Sequence, residues 1–460
     1  MIEFKTDKVL VRGLSKDIKI KAKLEVPGDK SISHRAIMLG SLAGGKSTVS
    51  NLSLSRDNLA TIAAFRKLGI NIKKQNSSGS NKDFIINGTG LYGLKEPESV
   101  INTANSGTLT RLLAGILAGN DFFSVMSGDR YLNSRPMKRI IEPLSLMGAK
   151  INGRKDGSYP PLAVSGGRLK SIFYEVPVPS AQVKSCIMLA ALFAEGDTVI
   201  YEKKGTRDHT ENLLKLQGYP VNVDAPVNGG SLITVKGRGR GELKPFNISI
   251  PGDFSSAAFF IALGILNEDS EITACNVLLN DKRIGLIKAL EMMGANVDLT
   301  LTGEVPERTG DIKVKYSALR GITVPLELVP DMIDEFPIFS VIASFAEGKT
   351  TVTGAKELRV KESDRIKTII FNLKRIGVGI KELEDGFEIN GNPSLKNFKP
   401  SMKSKMDGLT VLNPFGDHRI AMSMIIMGLI LKNRKIELRN IRCINTSFPE
   451  FFDVLAEITV

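Results

Sequence analysis

The chain has 460 residues, 42% hydrophobic and 24% charged, with a formal net charge of +13. That length exceeds what one hydrophobic core normally organises, so two domains are expected. No apolar run approaches the ~20 residues of a membrane span, and the opening Met1-Ile-Glu-Phe-Lys-Thr-Asp-Lys8 lacks an apolar targeting core. Cys186, Cys275 and Cys443 are scattered without metal or disulfide spacing, as in a reducing cytoplasm. The basic excess is dispersed along stretches such as 14–23 and 396–405, Trp is absent and aromatics are 6%, so a base-stacking surface is not expected. A soluble, cytoplasmic, basic protein is expected.

In chain order, the first strong signal is Val26-Pro27-Gly28-Asp29 leading into an apolar helix from Lys30. Gly40-Ser-Leu-Ala-Gly-Gly-Lys46-Ser47 then matches the spacing of a phosphate-binding loop. Such a loop needs a strand before it and a helix after it, and here the order is reversed. Ala194-Glu-Gly-Asp-Thr-Val and Ala346-Glu-Gly-Lys-Thr-Thr fill the same slot elsewhere without the motif, so this is a helix-ending turn. Further helices are expected from Asn105-Ser-Gly107-Thr, Ser180-Ala181-Gln182, Asp253, Asp334-Glu-Phe-Pro and Asp417-His-Arg419, roughly 75–85 residues apart. A second helix in each stretch ends on a glycine (Gly69, Gly148, Gly218, Gly294, Gly377), the expected left-handed cap before a strand. The chain therefore reads as six diverged copies of one helix–strand–helix–strands unit.

Pro-Gly-Asp recurs at 251–253, opening the fourth copy as 27–29 opens the first. If the chain leaves one domain at the first and returns at the second, residues 29–250 form one domain of three copies. Residues 1–28 with 251–460 form the other, an N-terminal strand plus three copies. Proline fixes one dihedral and glycine frees the next, which suits a directed crossing. The first crossing is followed by Lys30, Ser31 and Arg35. The second is followed by Phe254, Ser255 and Ser256, so only a crossover role is expected there.

Polar clusters sit at these helix starts, where backbone donors and the helix dipole favour anions. They include Lys30-Ser31-Ile-Ser-His34-Arg35, Asn105–Thr108 with Arg111, Arg135, Ser180–Gln182 and Arg207. In the second half come Asp334-Glu335, Arg359-Val-Lys361-Glu362-Ser-Asp-Arg365 and Asp417-His-Arg419. Cations with a few carboxylates suit a cleft that takes small anionic substrates and performs acid–base chemistry.

The strings Pro27-Gly-Asp-Lys-Ser-Ile-Ser-His-Arg35, Asn105-Ser-Gly-Thr, Arg359-Val-Lys-Glu-Ser-Asp-Arg365 and Gly416-Asp-His-Arg-Ile-Ala-Met422 resemble the 5-enolpyruvylshikimate-3-phosphate synthase family. The resemblance spans essentially the whole chain. It implies two inside-out α/β barrel-like domains, each of three βαβαββ units, joined by a double crossover. It implies transfer of the enolpyruvyl group of phosphoenolpyruvate to the 5-hydroxyl of shikimate 3-phosphate, through a tetrahedral adduct, with release of phosphate. By resemblance, Asp334 takes the hydroxyl proton, Glu362 protonates the methylene carbon, and Lys30 lies beside both substrates. Lys30, Ser31, Arg35, Ser180, Ala181, Gln182, Arg207, Asp334 and Lys361 would hold shikimate 3-phosphate. Lys30, Gly107, Arg135, Gln182, Arg365 and Arg419 would hold phosphoenolpyruvate. Neither a metal nor an organic cofactor is implied, nor a nucleic-acid or membrane partner, and the chain is expected to act as a monomer. One departure is Thr446, in Asn445-Thr446-Ser447, where many relatives carry a lysine.

Two other families offer competing readings. The sister transferase acting on UDP-N-acetylglucosamine uses a loop cysteine that Ser127–Arg135 lacks, and Lys30-Ser31 replaces its Lys-Asn pair. An RNA 3′-phosphate cyclase, built on similar repeats, needs a late nucleophilic histidine, and the only late one is His418.

Overall fold

A computed structural model describes residues 2–5, 7–15, 18–75, 82–227, 229–397 and 409–459. Parts of the lysine-rich stretches 14–23 and 396–405 lie outside the described residues. The chain divides into an inserted unit, Gly28–Pro251, and a terminal unit, Met1–Pro27 with Gly252–Val460.

The inserted unit carries helices α1 (Lys30–Leu42), α2 (Arg56–Lys67), α3 (Gly107–Ala118), α4 (Lys138–Leu146), α5 (Ala181–Ala191) and α6 (His209–Leu216). The terminal unit carries α7 (Phe254–Leu266), α8 (Gly285–Met292), α9 (Phe336–Ser344), α10 (Arg365–Ile376), α11 (His418–Ile430) and α12 (Phe451–Thr459). The first helix of each copy is buried on nearly every face, and apart from the polar first turns of α1 and α5 these helices are apolar, as interior helices are. In α7, Phe254-Ser-Ser-Ala-Ala-Phe-Phe-Ile-Ala-Leu-Gly-Ile-Leu266, every residue is buried. Accordingly α7, α9 and α11 pack on one another in the terminal unit, and α3 packs on α5 and α1 in the inserted unit. The second helix of each copy is two-faced, as in α10, where Lys367, Lys374 and Arg375 stand outside the buried stripe. Gly69, Gly148, Gly218, Gly294 and Gly377 all take positive φ, between 73° and 96°, and terminate these helices as the sequence predicts.

The sheets repeat one pattern. In the inserted unit, Ile101–Asn102 pairs parallel with Phe123–Ser127, which pairs antiparallel with Tyr159–Ser165, which pairs antiparallel with Lys150–Arg154. The same order recurs through Phe173–Glu175, Thr198–Glu202, Ser231–Val235 and Val221–Asp224. Among the described residues the fifth copy has three strands, Gly348–Val352, Gly386–Gly391 and Gly379–Leu383. Two isolated parallel bridges, Arg320 to Glu347 and Thr323 to Thr351, mark the place of its first strand. Each unit thus has helices inside and sheets outside, an inside-out α/β arrangement.

The chain ends complete this pattern by exchange. Asn247–Ser249 supplies the first strand of copy one, pairing parallel with Gly44–Ser50. Lys21–Glu25 supplies the first strand of copy four, pairing parallel with Glu271–Leu278. The hairpin Ile2–Lys5 and Lys8–Arg12 finishes copy six beside Lys435–Arg439. The N-terminus therefore gives three strands to two copies, where one strand was expected.

The two Pro-Gly-Asp turns are built alike. The Asp29 amide donates to the Pro251 carbonyl at 2.7 Å, and the Asp253 amide to the Pro27 carbonyl at 2.8 Å. Each aspartate then caps its helix, Asp29 accepting from the Ile32 amide and Asp253 from the Ser256 amide. Their glycines differ in room. A Cβ at Gly28 would lie 1.9 Å from the Asn51 carbonyl oxygen, whereas at Gly252 the nearest atom is a Val26 methyl at 2.8 Å. The loop-like 40–47 segment is the end of α1 and the strand Gly44–Ser50, with the Ser47 hydroxyl accepting from the Phe246 amide.

Backbone cannot yield as a methyl can, so the two turns should tolerate alanine unequally. Gly28→Ala is expected to lose more than about 2 kcal/mol of stability, and Gly252→Ala distinctly less. Urea unfolding midpoints of the two variants check this, and equal losses would contradict it.

Candidate functional site

The expected site residues fall into one polar cluster in each unit. In the inserted unit they gather at the starts of α1, α3 and α5. Lys30, on the first turn of α1, pairs with Asp57 of α2 at 2.5 Å. Ser31 follows it, and its carbonyl accepts from Arg35 at 3.0 Å. Arg35 is buried, its remaining named contacts being Thr210 and Ser185, each at 2.7 Å. It therefore ties α1 to α5 and α6.

At the start of α3, Ser106 caps the helix by accepting from the Leu109 amide. Gly107 then leaves the helix end bare. A Cβ there would lie 3.0 Å from Arg111 Nη1 and 3.3 Å from Arg135 Nη1, so two guanidinium groups flank it. Arg135 donates to Asn105 at 2.7 Å and Arg111 to Gln182 at 2.5 Å, while the Gln182 amide nitrogen donates to Thr108. Glycine, two guanidiniums and a helix N-terminus together make an anion-receiving corner. Ser180 caps α5 beside it, accepting from the Val183 amide, and Ala181 opens the helix. Arg207 lies on the segment before α6, next to Thr206, whose hydroxyl donates to Glu202 at 2.6 Å. Glu202 and Glu211 both grip the buried ammonium of Lys184, at 2.9 and 2.7 Å. Burial alone would lower the Lys184 pKa, but the two carboxylates outweigh it and hold the lysine above its ordinary value.

In the terminal unit the cluster is denser and holds the carboxylates. Asp334 lies just before α9, faced by Arg365 at 3.4 Å, Lys361 at 3.7 Å and Arg419 at 3.9 Å. Arg365, on the first turn of α10, is fully buried. It donates to Glu362 at 2.7 Å and to Asp417 at 2.8 Å. Burial would depress this guanidinium, but Asp417, Glu362 and Asp334 hold its pKa above the usual value. Asp417 also caps α11, accepting from the Arg419 and Ile420 amides, so one carboxylate fixes both arginine-bearing helix starts.

Three participants were not assigned roles from sequence. Arg283, before α8, lies 3.8 Å from both Asp334 and Glu335 and donates to Ser255 at 2.8 Å. Glu335 is fully buried and accepts from the Ser255 hydroxyl. Ser255 follows the second Pro-Gly-Asp, so the expectation of a crossover role alone is corrected: its hydroxyl links the acidic cluster to that turn. Thr446 ends a short 3₁₀ segment, Ile441–Thr446, apart from any interaction described for these clusters.

Against known proteins, residues 14–455 match the family model described as EPSP synthase (3-phosphoshikimate 1-carboxyvinyltransferase). The chain belongs to the EPSP synthase family. The 3-phosphoshikimate 1-carboxyvinyltransferases of Pelobacter propionicus and Thermodesulfovibrio yellowstonii are each 47% identical to it, covering 95% of this chain and 96% of theirs. The EPSP synthase structure from Acinetobacter baumannii is 40% identical with a TM-score of 0.82, covering 98% of each chain. The enolpyruvyl transferase NikO from Streptomyces tendae, 14% identical, shares the fold with a TM-score of 0.73. As an EPSP synthase family member the chain is a transferase. The alternatives weighed above, UDP-N-acetylglucosamine transferase and RNA cyclase, are not favoured.

His34, on α1 between Lys30 and Arg35, ties the stability of this helix start to pH. Its Nδ1 lies 2.6 Å from the Thr61 hydroxyl, which donates to the Asp57 carbonyl, so the imidazole must carry its proton on Nδ1. Burial first, and then the charges of Lys30 and Arg35, press its pKa well below 6.5. Below the unfolded value the unfolded chain binds a proton that the folded chain refuses, so stability falls as pH drops from about 7 to about 5. In His34→Asn this acid-side loss should shrink. Denaturation midpoints at the two pH values test it, and an unchanged slope would refute the assignment.

Proposed function

We propose that this chain transfers the enolpyruvyl group of phosphoenolpyruvate to the 5-hydroxyl of shikimate 3-phosphate, using the two clusters just described. The observation that carries the reading is Asp334 held among Lys361, Arg365 and Arg419, with Glu362 on the same Arg365. Family membership alone fixes no residue's role, but this group supplies a base, an acid and anion donors together.

In the proposed sequence, Asp334 removes the proton of the attacking hydroxyl as its oxygen bonds to the central carbon of phosphoenolpyruvate. Glu362 delivers a proton to the methylene carbon, giving a tetrahedral adduct with a methyl group. Loss of a methyl proton and departure of phosphate restore the double bond on the product. The phosphate and carboxylate of phosphoenolpyruvate are received by Arg135, the bare helix end at Gly107 and the Gln182 amide of the inserted unit, and by Arg365 and Arg419 of the terminal unit. Planar guanidinium forks suit such groups better than single ammonium charges.

Shikimate 3-phosphate is held by Lys30, Ser31, Ser180, Ala181, Gln182 and Arg207 of the inserted unit, and by Lys361 and the base Asp334 of the terminal unit. Ser180 accepts from a backbone amide and keeps its own proton to donate to an oxyanion. Arg35 contributes by fixing the Ser31 carbonyl, its other donors serving Thr210 and Ser185. Lys30, paired with Asp57, adds a cation beside both substrates. The chemistry consists of proton transfers and anion binding, and we assign it to a cytoplasmic monomer.

Phosphate release from phosphoenolpyruvate should require shikimate 3-phosphate and should not occur with UDP-N-acetylglucosamine. Asp334→Asn and Glu362→Gln should each lower kcat about 10²- to 10⁴-fold, with smaller changes in KM. Turnover with UDP-N-acetylglucosamine alone, or near-normal kcat in both variants, would overturn the reading.

A further inference from the structure

The geometry points to Arg283 as a positioning residue that keeps the Asp334 carboxylate ionised, held in place by its hydrogen bond to Ser255. The inference rests on the proposed role of Asp334 as base and concerns what sets that base's proton affinity. Arg283 is 2% exposed, so its charge is worth more here than at the surface. It comes from the segment before α8, whereas Lys361, Arg365 and Arg419 approach Asp334 from the α10 and α11 side. Its Nη1 lies 3.8 Å from Asp334 Oδ2, and its Nη2 donates to Ser255 Oγ at 2.8 Å. Asp253, the cap of α7, stands 4.0 Å from the same guanidinium.

The charges facing Asp334 pull in opposite directions. Arg283, Lys361, Arg365 and Arg419 favour its ionised form. Glu335, the neighbouring buried carboxylate, disfavours it, and Glu362 and Asp417 act on it more weakly through the arginine they share. Lys361, Arg365 and Arg419 are also the groups assigned to substrate anions, so their hold on Asp334 changes when substrate binds. Arg283 is assigned to neither substrate. Of the four cations it is the one whose effect on the base persists through the cycle.

Two substitutions should therefore move the Asp334 titration in opposite directions. Carboxyl ¹³C NMR of aspartate-labelled full-length protein reads it directly, with the resonance identified by its loss in Asp334→Asn. In Arg283→Met the titration should rise by about one pH unit or more, as expected when an opposite charge within ~4–6 Å is removed. Arg283→Lys, which restores the charge, should recover most of that shift. In Glu335→Gln the titration should fall. The acid limb of the kcat–pH profile should follow in each case. An unmoved Asp334 titration in folded Arg283→Met overturns the inference. If that variant does not fold, Arg283→Gln, which removes the charge and keeps a donor for Ser255, is read in the same way, and an unmoved Asp334 titration there overturns it. Turnover of Asp334→Asn near the wild-type rate would instead sink the base assignment while leaving the titration result standing.

Discussion

The structure depends on an exchange of strands at two equivalent turns. The strand before each Pro-Gly-Asp pairs within one unit, and the helix after it belongs to the other. Neither unit can close its first sheet from local chain. Asn247 meets Thr48 across 199 residues, and Ser270 meets Ile20 across 250. Loop-closure entropy grows only logarithmically with length, so these contacts are slow to form rather than costly to keep. The hydrogen bonds from the Asp29 amide to the Pro251 carbonyl and from the Asp253 amide to the Pro27 carbonyl lock the exchange where it happens. Gly28 shows how little space that leaves, since even a methyl group there would strike backbone.

Because the first helix of each copy must be apolar to fill its unit, charge is confined to the helix starts. That confinement gathers arginines and carboxylates into small, partly buried groups. Buried ion pairs seldom add net stability over well-packed apolar side chains, because desolvation offsets their attraction. They do fix direction and charge. Arg365 remains a cation despite full burial, since Asp417, Glu362 and Asp334 surround it. Under the roles proposed above, a substrate anion reaching Arg365 would compete with those same carboxylates. Binding would then loosen Asp334 and Glu362 from their partners at the step that needs them reactive.

What sequence could show was what lies within a few residues. The five cap glycines, the helix starts and the Pro-Gly-Asp pair were legible because capping and turn geometry are local. The anion-seeking character of Arg111 and Arg135 was legible for the same reason. The partner strands were not, since nothing near Lys8–Arg12 says that it completes a sheet begun beyond residue 400. Nor was the Lys184–Glu202–Glu211 triad, because Lys184 lies on the helix Ala181–Ala191 and its partners come from a strand and a second helix. Arg35 was visible as a residue type, whereas its capture by Ser31, Ser185 and Thr210 depends on helix packing.

The contrast between the twin turns follows from one further carboxylate. Asp29-Lys30-Ser31 and Asp253-Phe254-Ser255 occupy equivalent places, cap and first turn alike. In copy one the lysine is balanced by Asp57 across the helices, so the Ser31 hydroxyl is left to a substrate oxyanion in the proposed scheme. In copy four a buried phenylalanine replaces the lysine, and Glu335 brings a negative charge to Ser255 from inside the unit. A helix start that already holds an internal anion has little use for an external one. Arg283 balances that anion and, through the same guanidinium, reaches Asp334. Under the roles proposed above, this helix start thus supports Asp334 electrostatically in copy four, where its counterpart in copy one meets substrate.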